Sequence, residues 1–369
     1  AHFEQAMRNV NSIAKDSEST FARITESVLR MGSVADLAEG PSSLASALYD
    51  INSAGFKSEA GLKVLETSSK AATAGLTETS TAAKGIVVAL NSYGKGANEA
   101  GRLADILFQT VEEGIITFPT LSDNIGKVTA VASAGGVSME ELGAAMAQLT
   151  AKGLSAEEAA VALRGAILKM LAPTEAQKKA AAEYGITLGE AALKQQGFAG
   201  LLADINTKTR GSKEALFDVI GEVRAFNGAL KLIGDDGGAS FINRIERFEN
   251  SSGALGRALA QQEKALSTQF KKLAAAVETS AVRVGEAFIP ATKALVENLK
   301  DIFQAFNNLT GTQQKTIAWS VAASGAIAAV TAGLITLKGS ADAASIAMGK
   351  LGYANLAAGL SRVSGAIGA

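Results

Sequence analysis

GVSMEELGAAMAQLTAKGLSAEEAAVALRGAILKMLAPT, residues 136–174, reads as two consecutive helices with a third about to begin. Ser138 stands three residues before Glu141, Ser155 three before Glu158, and Thr174 three before Gln177. That is capping-box spacing, in which the hydroxyl accepts an orphan amide of the first turn and the Glu or Gln side chain reaches back to the cap. Gly153 is placed to close the first helix, and Pro173 to stop the second, because the residue before a proline disfavours helix. Met139, Leu142, Met146 and Leu149 form one apolar stripe; Leu163, Ile167, Leu168 and Leu171 form another. The other faces are mostly alanine, which predicts an α-hairpin of closely packed helices. Nothing in it has the residues of a reaction centre.

The same economy holds over all 369 residues. Hydrophobic residues are 47% of the chain but aromatic ones only 5%, so alanine, leucine, valine and isoleucine must supply the core. The formal net charge of −1 gives no basic field for nucleic acid, and no sequence-specific binding to it is expected. There is no cysteine, which excludes disulfides and thiolate chemistry, and the single histidine, His2, stands in the opening helix. No His-Glu-x-x-His or phosphate-loop motif occurs, and the glycines at 94, 96 and 101 are wrongly spaced for a dinucleotide turn. The carboxylate pairs Glu140-Glu141 and Glu157-Glu158 fall in first helical turns, where they favour the helix dipole without any catalytic role. Asp235-Asp236-Gly237-Gly238 lacks the alternating ligands of a calcium loop and reads as a plain turn. We therefore expect no enzyme, no cofactor and no metal site.

In chain order, residues 1–39 read as a polar entering helix with Phe3, Met7, Val10 and Ile13 on one side, broken by Gly40-Pro41. Residues 40–235 read as a helical domain punctuated by glycine, with one short β-like run at Ile115, Ile116 and Phe118. Beyond Gly238 the period changes. Phe241, Ile245, Phe248, Leu255, Leu259, Leu266, Phe270, Leu273, Val277, Val284 and Phe288 follow four-and-three spacing, which continues to Leu309. Such heptads predict a long helix from about 240 to 288, kinked near Pro290, facing other copies of the chain, three preferred and six possible. The alternative is an amphipathic helix lying on its own domain.

Ile317 to Leu337 carries no charge over 21 residues, with Trp319 near one end and Ile327, Val330, Leu334 and Leu337 along it. That length matches a bilayer core of roughly 30 Å at 1.5 Å per residue, although a buried helix in a multi-subunit core has the same composition. Residues 338–369 read as a small-residue helical tail. The opening AHFEQAM has no initiating Met or secretory signal and, with the closing SGAIGA, reads as a cut through a longer polypeptide. The expected fold is all-α: a compact multi-helix domain, long coiled-coil-like helices and a hydrophobic, membrane-type helix.

The 136–174 stretch resembles the core region of phage tail tape measure proteins, with its Gly-Val-Ser, paired acids, Leu-Thr-x-x-Gly, Glu-Ala, Leu-Arg and Pro-Thr in order. SALYDINSAGF (46–56), AATAGLTETSTAAKGIVVALNSYG (71–94) and DILFQTVEEGIITFPTLSDNIGKV (105–128) keep that family's order, as does EALFDVIGEVRAFNGALKLI (214–233). The resemblance spans roughly residues 40 to 310. It implies a structural protein in the tail lumen and tip of a virion, assembled in the host cytoplasm, that sets tail length and nucleates tail assembly. Its implied partners are tail tube and tip or baseplate hub proteins and, on DNA ejection, the host inner membrane. A membrane-active, pore-forming helical protein is the competing reading.

Overall fold

A computed structural model describes residues 2–33, 39–250, 252–265, 269, 271–272 and 274–283, all within one compact unit, Ala1–Glu286. The described residues contain helices and connecting turns, with no strand. The first half comprises α1 (His2–Ala14), α2 (Glu18–Ser33), α3 (Pro41–Ser53), α4 (Ser58–Gly75), α5 (Thr79–Ser92), α6 (Ala100–Glu113) and α7 (Phe118–Asn124). The second comprises α8 (Gly126–Ala134), α9 (Met139–Ala151), α10 (Ala156–Leu171), α11 (Glu175–Glu183), α12 (Glu190–Lys208), α13 (Lys213–Ile220) and α14 (Val223–Ile233). Then come α15 (Ala239–Glu249) and α16 (Ala254–Gln262), and residues 274–283 are again helical.

The α-hairpin read from the sequence is α9–α10, and it lies at the centre. Eleven of the thirteen residues of α9 are buried, because α6, α10, α14 and α15 pack around it. Its alanine and glycine faces allow that approach on several sides at once. A helix with one apolar stripe would have left its other face in water. Two capping boxes form as expected, Ser155 with Glu158 and Thr174 with Gln177. The third is only half made: Ser138 accepts the Glu141 amide, while the Glu141 side chain turns away.

Several expectations are corrected. The entering helix is two helices: Lys15 adopts φ 58°, and Asn11 Oδ1 accepts the Asp16 amide at 2.9 Å to close the turn between them. Both pack with the rest, α1 on α3 and α2 on α3 and α4. Ile115 to Phe118 is no strand. Ile115 is 76% exposed, and Phe118 opens α7 and stacks on Phe108 at 4.4 Å. The long helix expected from 240 to 288 is broken between α15 and α16, where Gly253 takes φ 72°. No helix among the described residues is long and apolar enough to cross a membrane. Ile317–Leu337, the tail 338–369 and the kink at Pro290 lie outside the described residues.

Phe248, on α15, shows how closely the body is fitted. Its side chain is fully buried against Gly143, where a Cβ would meet the Phe248 ring at 2.8 Å and Thr110 Oγ1 at 2.8 Å. Truncation by Phe248→Ala should cost about 3–5 kcal/mol. Overpacking by Gly143→Ala should cost about 1–3 kcal/mol, both read as lower urea midpoints. Unchanged midpoints in both variants would mean that α15 is not seated in the core.

Candidate functional site

The sequence points to the heptad stretch as the functional surface, and the structure divides it. Phe241, Phe248 and Leu255 are buried in the chain's own core, so in this arrangement they do not face other copies. Ile245 and Leu259 pack partly buried against that core. Val277 is 62% exposed. Leu266, Phe270, Leu273, Val284 and Phe288 lie outside the described residues, as do Ile317, Trp319, Ile327, Val330, Leu334 and Leu337.

The break between α15 and α16 is managed by one polar stripe of α6, whose residues 102, 105, 109 and 112–113 recur at helical spacing. Arg102 donates to the carbonyls of Phe248 at 2.9 Å and Glu249 at 3.1 Å, satisfying the C-terminus of α15, and pairs with Glu140. One turn later Asp105 accepts the amides of Gly253 and Leu255, each at 2.9 Å, opening α16. At the far end of α6, Glu113 binds Arg244 at 2.5 Å and Arg247 at 2.6 Å, and its carbonyl accepts from Arg244 at 3.1 Å. Glu112 pairs with Arg257. Burial alone would raise the Glu113 pKa, but hydrogen bonds from Arg247 and Gln109 and the two arginine charges outweigh it and hold the carboxyl below its ordinary value. Sequence reading missed this seat. Its one available signal was Ser251-Ser252-Gly253, a turn cluster inside a periodic run.

A second buried acid lies beside α15. Glu141 is 8% exposed and accepts the Ala199 amide at 2.7 Å. It thereby caps the second half of α12, which restarts after a kink at Gly197, φ 73°. Phe198, at that restart, meets Phe241 edge-on with centroids 6.3 Å apart. Burial raises the Glu141 pKa against the lowering effect of the Ala199 and Phe198 amides, and the charge of Glu249 raises it further. Burial, with Glu141 and Glu140 nearby, raises the Tyr93 hydroxyl too.

None of this has the donor set of a reaction centre. A cleft of about 760 Å³ between α3, α4 and α5 is lined by Ser43, Ser46, Thr77, Ser80 and Thr81, with Glu39, Glu78 and Lys271. It presents neither histidine nor thiol. Among the described residues no three His, Asp or Glu side chains are grouped to hold a metal ion. Asp235 to Gly238 is a helix-entry turn, with Asp236 accepting the amides of Gly238 and Ser240.

Comparison with known proteins points to phage tails. The family model for "Phage-related minor tail protein" matches residues 4–221. The chain belongs to that family. It is 24% identical over 325 residues to the tape measure protein of Pneumococcus phage Dp-1, covering 85% of this chain and 28% of that protein. A probable tape measure protein of Clostridium phage phiCD119 is 27% identical over 280 residues, 73% of this chain and 29% of its own length. The chain thus spans under a third of the curated relatives it matches. No solved structure matches. By family, this chain is a phage tail protein.

The buried acid makes a pH prediction. A carboxyl whose folded pKa is raised lends stability that is fully present below its unfolded value, here 4.5, and lost as pH rises through the folded value. Glu141→Gln keeps an oxygen for the Ala199 amide and removes the charge. Its melting temperature should therefore gain on the parent between pH 4.5 and pH 7. A gap that does not change with pH would mean the carboxylate is solvated in the native state.

Proposed function

We propose that this chain is part of a tape measure protein that occupies the lumen and tip of a phage tail. There it sets tail length, nucleates assembly with tail tube and tip or baseplate hub proteins, and leaves on DNA ejection to help the genome across the host inner membrane. The observation that carries this reading is the similarity to tape measure proteins over 85% and 73% of the chain, in one collinear order. As a single helix, 369 residues would reach roughly 550 Å, but the described residues up to 262 fold into short helices. Any length-setting extension therefore belongs to other parts of the protein or to an unfolded form of this one.

Copies of the chain associate, three preferred and six possible, through the heptad from Leu259 through Leu266, Phe270, Leu273, Val277, Val284 and Phe288 and onward to Leu309, along which Val277 is exposed. Charged replacements at Leu259 and Leu273 should disperse that assembly in light scattering without lowering helicity. A folded monomer at micromolar concentration for the unmodified chain would sink the association.

The uncharged run Ile317–Leu337 supports a membrane role after release, since roughly 25 cal/mol per Å² of exposed apolar surface favours a packed or lipid environment over water. Ile327→Asp with Val330→Arg places charge at its middle, at an insertion cost of roughly 2.5–3.5 kcal/mol per charge. Virions that assemble with both changes should adsorb normally and deliver DNA poorly; normal infectivity would leave the segment an ordinary packing helix. Lytic activity of the isolated chain, without co-purifying tube and tip proteins, would favour the pore-forming reading instead.

A further inference from the structure

We propose that α15–α16 is an exchangeable strap, and that its seat on α6 and α9 receives the α15–α16 of a second copy when copies of the chain are held together. The ties that seat the strap on α6 reach across the sequence. Arg244 binds Glu113 from 131 positions away, and Leu255 binds Asp105 from 150. Its packing partners are likewise distant: α15 rests chiefly on α9 and α16 on α4 and α6, while α15 touches α14, the helix just before it, only slightly. A seat built almost wholly from distant elements is indifferent to which copy fills it, because Phe248 against Gly143 and Arg244 on Glu113 form identically either way.

The connection between α14 and the strap has the conformational range for this. Five residues, 234–238, join the two, and Gly234, Gly237 and Gly238 take φ of 60°, 73° and 101°. Glycine alone moves between these values and extended backbone without steric cost. Asp236 holds the Gly238 and Ser240 amides locally, so the swing falls before residue 236, at Gly234, and leaves these ties intact.

Mass action decides which arrangement is populated. A short tether holds the strap near its own seat at an effective concentration on the order of millimolar, so separate copies at micromolar concentration stay closed. That advantage disappears once neighbouring copies are clamped side by side. The inference therefore rests on the self-association proposed above for residues 259–309, and it assigns the buried half of the heptad, Phe241, Phe248 and Leu255, to the same contact between copies.

The chain has no cysteine, so introduced thiols report cleanly. Glu112 on α6 and Arg257 on α16 form an exposed pair at 3.1 Å, whose loss costs little. Full-length Glu112→Cys and Arg257→Cys chains, refolded together, would be treated with a short bismaleimide in the oligomeric fraction isolated by size exclusion. Exchange predicts a cross-linked dimer from this mixture. That dimer should be absent when Arg257→Cys is replaced by Lys178→Cys, on α11, which packs on α13. If the oligomer yields no dimer from the mixture, while a Glu112→Cys/Arg257→Cys double variant cross-links only within one chain, the strap does not exchange and self-association stands. If no oligomer forms at any concentration, both fall.

Discussion

The described structure depends on satisfying helix ends. Every helix leaves four amides at its start and four carbonyls at its finish without partners inside the helix, and a body of many short helices multiplies that debt. Here distant side chains meet it. Carboxylates take amides at helix starts: Asp105 at α16, Glu141 at the restart of α12, Glu39 at α5 and Glu278 at α3. Donors take carbonyls at helix finishes: Gln148 at α14, Gln177 at α13, Arg102 at α15 and Lys231 at α9. Each such bond ties two parts of the chain together, and where it is buried, as at Gln148, Gln177 and Glu141, an unpaired backbone group would be costly. The helices are thereby fixed in register as well as in contact.

That constraint explains how a chain so poor in aromatic residues holds a single continuous core. Alanine and glycine let helices approach closely but bury little area each, so packing alone specifies orientation weakly. Long-range caps add the direction that apolar contacts lack. Gln177 illustrates the economy: its oxygen accepts the Thr174 amide to complete a capping box, while its nitrogen donates to the carbonyls of Val219 and Ile220. Most of the remaining ion pairs, such as Lys84–Asp123 and Lys127–Glu157, have at least one largely exposed partner and contribute little by comparison. Glu113 differs, since two arginines converge on a carboxylate that is only 14% exposed.

The chemistry of these groups is spent on architecture. Carboxylates that would otherwise be candidates for proton transfer are engaged in capping, and the cleft between α3, α4 and α5 is lined mainly by hydroxyls. This agrees with a family of tail proteins whose curated tape measure members are over three times longer than the stretch matched here.

The sequence by itself determined the helical class, the α9–α10 hairpin and the two complete capping boxes, because these rest on spacings of three and four residues that act within one or two turns. It also made the family recognisable from collinear blocks. Only the tertiary structure decided that α9 is central, since burial on every face depends on which helices surround it, not on its own period. The fate of Glu141 was equally out of reach. Its spacing from Ser138 fits a local box, but the Ala199 amide, 58 positions away, wins the carboxylate. The heptad from Phe241 was legible as a period but not as a destination, because the same four-and-three pattern serves a partner helix or the chain's own core. Arg102 and Asp105 settled that locally, by ending one helix and starting another in the middle of the run.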